Sequence, residues 1–425
     1  MRRTVGSDRM RRGLVVRCVT LGILLVGACA LPQLAEVPNA SAVATTLYVA
    51  KGGGDTGNCQ SATAPCASIS YAMSQAYDAM SRDATIDVGP GTFKANLDNP
   101  WGFYLTIQGS GPERAQATTL EPEAPKGSIV DAERGGWTLD QLTLKGLSGD
   151  PVVSNYAGSI DLVDSTITNS ANAVTTGAPS TAFVTIDNST ISENGVGVFT
   201  EPGGSSTVDI ADSTIADNGV GIEGGYHSGV DLAGTIVSGN RDGDCAMTFG
   251  NVRDAGYNLG DDGSCGFSAS NHSQSGVDPD LGLLQNNGGP TKTQSPALGS
   301  PVLGQIPPGT TTPTGTALCS GTDQRGVPRP AATNCDIGAD EMECDTATVG
   351  VPFSFKLTTF GTPVPSITEK GQMPRGLDFV DNGNGTATIS GSPTKSGTYH
   401  ITITFGTRKT KDVVTQPLTL TVNPG

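Results

Sequence analysis

Between Ile160 and Asn240 one pattern of apolar and polar positions is written four times: Asp-Leu-Val-Asp-Ser-Thr-Ile-Thr, Thr-Ile-Asp-Asn-Ser-Thr-Ile-Ser, Asp-Ile-Ala-Asp-Ser-Thr-Ile-Ala and Asp-Leu-Ala-Gly-Thr-Ile-Val. The anchor isoleucines are Ile167, Ile191, Ile215 and Ile236, in steps of 24, 24 and 21 residues, and a weaker copy places Leu144 another 23 residues upstream. β-Branched residues between Gly/Asn turns, with no helical spacing and a period in the low twenties, predict a solenoid of short parallel strands. Stacked coils sit about 4.8 Å apart, so the anchors are expected to form one internal apolar column. Asn194-Gly195 and Asn218-Gly219, with Ser170 one coil earlier, mark a bend that needs a left-handed residue or an Asn side-chain hydrogen bond.

The flanking segments read differently. Leu47-Tyr48-Val49-Ala50 predicts a strand, and Ile69, Ala72, Met73, Ala76 and Met80 share one face of a helix over 68–81. That helix is expected to cover the open end of the solenoid, where a bare coil would expose core and unpaired backbone. Irregular coils with strands near Tyr104–Gln108, Thr118–Leu120 and Ser128–Val130 follow. After Asn240 the repeat decays into loops. From Val349 to Val422 strands alternate again: Tyr399, Ile401, Ile403 and Phe405 share a face, as do Leu418, Leu420 and Val422, and Asp381 to Gly385 marks a hairpin turn.

Composition and charge narrow the setting. Fifty-eight glycines and only 5% aromatics in 425 residues suit a turn-rich solenoid. Arg2, Arg3, Arg9, Arg11, Arg12 and Arg17 precede an apolar run from Cys18 to Leu31 and then Ala42-Val43-Ala44, the pattern of a secretory signal cleaved after Ala44. Lipidation at Cys29 is the alternative, because Val26-Gly27-Ala28-Cys29 resembles a lipobox. The remaining chain carries 19 basic and 39 acidic residues, which argues against nucleic acid and anionic membranes as partners. No later segment is long and apolar enough to span a bilayer.

Several motifs carry resemblances. Asp83-Ala-Thr-Ile-Asp-Val-Gly-Pro-Gly-Thr-Phe93 resembles the opening of secreted right-handed parallel β-helix proteins. Gly256-Tyr-Asn-Leu259, Asp278-Pro-Asp-Leu-Gly282, Asn287-Gly-Gly-Pro-Thr291, Asp323-Gln-Arg-Gly-Val-Pro-Arg-Pro330 and Cys335-Asp-Ile-Gly-Ala-Asp-Glu341 together resemble the bacterial choice-of-anchor Q proteins, over roughly residues 47–341. That resemblance implies export and a surface setting, and no reaction. Val351-Pro-Phe-Ser-Phe355, Pro374-Arg-Gly-Leu377 and Thr386 to Pro393 look like immunoglobulin-like modules of bacterial surface proteins. The expected architecture is all-β: signal peptide 1–44, N-terminal cap and irregular coils 45–135, regular coils 136–270, a disulfide-containing C-terminal cap region 271–345, and an Ig-like sandwich 346–425.

An exported chain favours disulfides, and local pairing suggests Cys59–Cys66, Cys245–Cys265 and Cys319–Cys335. Cys344 is left over: free, a competitor of Cys335, or a link between two chains. No cofactor is implied. Calcium is the one candidate ion, with oxygen-rich turns at Asp242/Asp244, Asp261/Asp262, Asp278/Asp280 and Asp381 to Asn384; solvated turns are the ordinary reading of each. No residue is assigned as catalytic. A lyase needs a basic residue, and none lies between Lys145 and Arg241, where His227 is the single imidazole. A hydrolase needs two facing carboxylates; Asp164 and Asp212, equivalent positions two coils apart with Asn188 between, and Glu223 are the acidic candidates, with Asp and Asn at coil bends usually serving the turn. The expected function is an exported non-catalytic surface or matrix protein that binds glycan or protein through the β-helix face and the Ig-like module. The alternative is an extracellular polysaccharide-degrading enzyme.

Overall fold

The computed structural model describes residues 45–425 apart from 110–116, 125–126, 148, 178–180, 204, 226–227, 249, 298–299, 330–333, 343–345, 359–363, 365 and 407–412. Residues 1–44, where a signal segment is expected, with Cys29, and also His227 and Cys344, lie outside the described residues.

Each regular coil is three short strands joined by two tight corners and one longer loop. In the coil that starts at Ser159 these strands are Ser159–Val163, Thr166–Thr168 and Asn172–Thr176. Stacking builds three parallel sheets. Sheet 1 has nine strands from Thr45–Val49 to Asn251–Gly256, sheet 2 nine from Gly91–Ala95 to Gln274–Ser275, and sheet 3 seven from Leu97–Asp98 to Cys245–Met247. The result is a parallel β-solenoid of about seven turns. Leu144, Ile167, Ile191 and Ile215 pair in register and are fully buried. The column then continues through Val237 rather than Ile236. In the fourth repeat Thr235 takes the serine's corner, so Ile236 stands where earlier coils have an outward threonine.

The corners explain the polar part of the repeat. At the first corner Asp164, Asn188 and Asp212 adopt φ of 48°, 52° and 44°. Asx side chains tolerate that left-handed region better than most L-residues. The residue that follows closes the bend: the Ser165 and Ser189 N–H groups donate to Ser189 Oγ and Ser213 Oγ one coil on, each at 3.1 Å. At the second corner Asn169, Glu193 and Asp217 are left-handed, one residue before the predicted Ser170, Asn194 and Asn218. Those three form a buried ladder with Asn240. Asn218 Oδ1 accepts from the Asn194 backbone N–H at 3.0 Å, and Asn218 Nδ2 donates to Ile191 O at 3.0 Å.

The helix Ile69–Asp78 is N-capped by Ser68 and buries Ile69, Ala72, Met73 and Ala76 against the first coils. Met80 does not share that face: the helix ends first, and Met80 sits past the C-cap at φ 53°, 65% exposed. At the other end of the chain, sheets of four strands (Thr346–Thr348, Val413–Asn423, Gly397–Gly406, Ser366–Gly371) and three strands (Phe353–Thr358, Thr386–Gly391, Leu377–Asp381) share a core containing Phe355, Leu377, Ile389, Ile401, Ile403, Leu418 and Leu420.

Gln274–Ser275, at the start of the region expected to cap the C-terminal end, stack on the last coil of sheet 2, whereas residues from Thr291 onward lie along the flank of the solenoid. Residues from Thr291 to Ala339 reach back to the corner between sheets 1 and 2, contacting coils more than a hundred residues earlier. Thr166, Thr190 and Thr214, outward on sheet 2, are buried beneath it, and Ile236 joins Ile306, Leu318 and Ile337 in a second apolar cluster.

The two kinds of buried contact are expected to be of similar strength. Ile191→Ala should cost about 2–5 kcal/mol through the cavity it leaves. Asn218→Ala should cost roughly 2–6 kcal/mol, because it orphans the buried Asn194 backbone N–H and takes the Nδ2 donor away from the Ile191 and Ala216 carbonyls. Urea unfolding of the two variants checks this; a loss under about 1 kcal/mol for Asn218→Ala would show the ladder to be ornamental.

Candidate functional site

The flank docks through Gln324, which is 1% exposed. Its Nε2 is within donating distance of Ser165 O, Thr166 Oγ1, Thr291 Oγ1 and Lys292 O at 2.9–3.1 Å, while Thr190 Oγ1 donates to its Oε1 at 2.6 Å. One amide thus ties two outward threonines of sheet 2 to two segments of the flank. Beside it Asp323 pairs with Arg325 at 2.6 Å, and Arg329 bridges Glu341 at 2.9 Å and Asn188 Oδ1 at 3.0 Å. The Asp323–Arg329 and Asp336–Glu341 motifs are therefore the two halves of a latch. Burial, followed by Asp336, pushes the Glu341 carboxyl up against the opposing pull of Arg329. The Cys319–Cys335 disulfide closes the loop that carries the Asp323–Arg329 half of the latch; Cys59–Cys66 and Cys245–Cys265 staple the first and last coils.

The acidic candidates fall in two places. Asp164 and Asp212 lie in the corner row under the latch, separated by Asn188, whose Nδ2 donates to Asp164 Oδ1 at 2.7 Å. Burial raises both carboxyls to about 7. Asp212 is 5% exposed, and its Oδ1 has no hydrogen-bond partner. Gly234 leaves room for it: a Cβ there would overlap Oδ1, with Ile306 and Leu318 lining the same space. Glu223 is half-buried and points outward from sheet 3, so it is not brought together with Asp212. The absence of basic residues from the regular coils told only part of the story, because Arg329 reaches Asn188 from 141 residues away.

Among the calcium candidates, Asp244, Asp261 and Asp262 converge within 4.8 Å of one another. Asp242, grouped with Asp244 in the sequence, is exposed and pairs with Arg241 instead. The converging oxygens already accept internal donors: Asn240 Nδ2 and the Asp261 N–H reach Asp244, and the Asp244 N–H reaches Asp262. Burial, then the proximity of Asp261, raises Asp244 to about 7. Asp278 Oδ1 accepts the Asp280 N–H, and Asp381 accepts from Gly383 and Ile367, so both are turn residues in the structure. These three carboxylates could hold a divalent cation only by giving up hydrogen bonds that now interlock the turn.

A groove with a volume of about 410 Å³ lies on the outer face of sheet 1, and the loop containing Thr312, Thr314 and Thr316 forms one wall. Its floor is a registered row: Thr138, Asp161, Thr185, Asp209 and Asp231 pair strand to strand across five coils. A second row holds Val163, Asp187, Ala211 and Ala233. Burial in the groove raises the carboxyls of Asp187 and Asp209, the latter also through Asp231. Arg253 closes one end by pairing with Asp231. None of the acidic candidates read from the sequence lines this groove. The signal that could have found it is the alternation Asp161, Thr185, Asp209, Asp231 two residues before the end of each sheet 1 strand.

Comparison with known proteins returns no matching family model, no matching curated protein and no matching solved structure. The resemblance to choice-of-anchor Q proteins stands on the motif residues alone.

The corner row makes stability depend on pH. Asp164 and Asp212 titrate at about 7 in the folded protein against the usual 3.8. Between about pH 4 and 7 the folded state therefore binds more protons than the unfolded chain, and stability falls as pH rises through that window. The melting temperature is expected to be lower at about pH 8 than at about pH 5. Asp212→Asn, whose amide suits the corner as Asn188 does, should raise it at about pH 8 by a few degrees and flatten the profile.

Proposed function

We propose that this is an exported, non-catalytic surface or matrix protein of choice-of-anchor Q type that holds a linear polysaccharide along the sheet 1 groove. The observation that carries this reading is the registered floor, which offers one Asp or Thr per coil across five coils. Coils repeat about every 4.8 Å. A polymer of short, identical polar units laid along the solenoid axis can meet the same partner at every step. Three disulfides suit an extracellular setting. The C-terminal two-sheet module fits the role of an Ig-like interaction domain.

Two features favour holding over cleavage. The carboxyls raised to about 7 in the first corner, Asp164 and Asp212, sit beneath the latch and outside the groove. The groove's remaining acids repeat along a row rather than facing one another across a gap, as a hydrolytic pair must. One observation supports the rival hydrolase: Asp187 and Asp209 stand diagonally on neighbouring coils, both with raised carboxyls.

Incubating the secreted protein with a panel of plant, algal and bacterial glycans separates the two. Saturable retention on one of them without new reducing or unsaturated ends is expected. Sustained release of such ends, abolished by Asp209→Asn, would transfer the assignment to the hydrolase.

A further inference from the structure

A third row runs beside the groove floor on the same face of sheet 1. In register from coil to coil it reads Tyr104, Gly136, Ser159, Phe183, Thr207, Gly229. Tyr104 and Phe183 are 64% and 53% exposed, large apolar side chains in a strip of otherwise small residues. The Tyr104 ring lies over the bare backbone of Gly136, where any side chain would collide with it. The two rings are three coils apart, about 14 Å at the strand spacing. Two exposed rings on one straight row, with small residues between and beyond them, form shelves against which flat apolar faces or cations can rest.

The charge beside those shelves is mainly negative, with Arg253 as the counter-charge at one end. Asp231 is paired with Arg253, while Asp161, Asp187 and Asp209 make no ion pair among the described residues. A cleft lined by like charges concentrates counter-ions along its length and repels anions. Uronic acid and sulfated chains are therefore poor occupants. An extended Lys-rich peptide brings side chains to one face only about every 7 Å, out of step with coils about 4.8 Å apart. In an extended β-1,4-linked chain successive hexoses are flipped, so a free amine returns to one face about every 10 Å, close to the two-coil separation of Asp161 and Asp209.

Resting on the polysaccharide-binding reading above, we propose that the outer face of sheet 1 binds a linear β-linked polymer of amino sugars with free amines. Carboxylates of Asp161 and Asp209 meet the ammonium groups, Thr185, whose hydroxyl donates to Asp161, accepts from sugar hydroxyls between them, and Tyr104 and Phe183 stack on sugar faces at the groove's edge. The charge sets specificity and the rings supply sequence-independent grip.

The test uses the full secreted protein and glucosamine oligomers, their fully N-acetylated counterparts, oligouronates of equal length and a Lys-rich peptide of equal charge. Calorimetry is run at mildly acidic pH in low and high salt. Glucosamine oligomers should bind at least about tenfold more tightly than the N-acetylated chain, with the difference removed by salt. Asp161→Asn combined with Asp209→Asn should erase that difference while N-acetylated binding persists. Tyr104→Ala combined with Phe183→Ala should weaken both sugars by the same factor. All four side chains point outward, and a thermal melt confirms that each variant is folded. Equal or tighter binding of the N-acetylated chain or the oligouronate would overturn the amino-sugar assignment and leave the polysaccharide reading standing. Equal binding of the peptide would overturn it as mere cation exchange. Absence of binding to every saccharide would remove both.

Discussion

The whole molecule depends on turning a chain through two sharp corners per coil without leaving buried backbone unpaired. Each corner places a residue at positive φ and follows it with a small polar side chain that closes the bend. Because successive coils are in register, the closing group of one coil becomes the acceptor for the backbone of its neighbour. The apolar column of Leu144, Ile167, Ile191, Ile215 and Val237 is fully buried, within a core that the inward residues of sheets 1 and 3 also fill. The Ser and Asn ladders decide where it bends. Apolar packing alone would tolerate many coil lengths; a buried amide with fixed donors and acceptors tolerates few.

That division of labour explains what could be read beforehand. The solenoid, its axial column, the helix near the first coil and the three disulfide pairs follow from local signals: a period, an apolar helical face, cysteines close in sequence. The column's last member is an instructive slip. Matching letters put Ile236 beneath Ile215, whereas matching corners put Val237 there, because Thr235 performs the turn that Ser213 performs one coil earlier. Equivalence in a solenoid is set by the corner, and the apolar residue follows from it.

The latch was not legible for a different reason. Gln324 bonds to residues 134 to 159 positions away, and no periodicity links them. Its motif is conspicuous in the sequence, yet conspicuous residues invite chemical explanations, and here a Gln, two Arg and their acids hold a flap to a wall of threonines. Asp164 and Asp212 were similarly ambiguous. Only the positive φ, the covering Ile306 and Leu318 and the intervening Asn188 show that their environment belongs to the corner. The aromatic row escaped notice because Tyr104 and Gly136 are 32 residues apart, outside the regular period, although their strands pair residue for residue.

The groove is itself a consequence of the latch. The flank needs small side chains on sheet 1 to approach the corner, and it finds Ala211 and Ala233, which join its apolar cluster with Ile306 and Leu318. Where these alanines replace the Val163 and Asp187 of earlier coils, the floor drops, and the Thr312–Thr316 loop stands beside it as a wall. On sheet 2 the same flank buries the threonine row completely. One docking event therefore hides one registered polar row and frames another. The face left open is the face where Asp and Thr repeat at the pitch of the coils, so the same stacking that gives the protein its core also gives its surface a ruler.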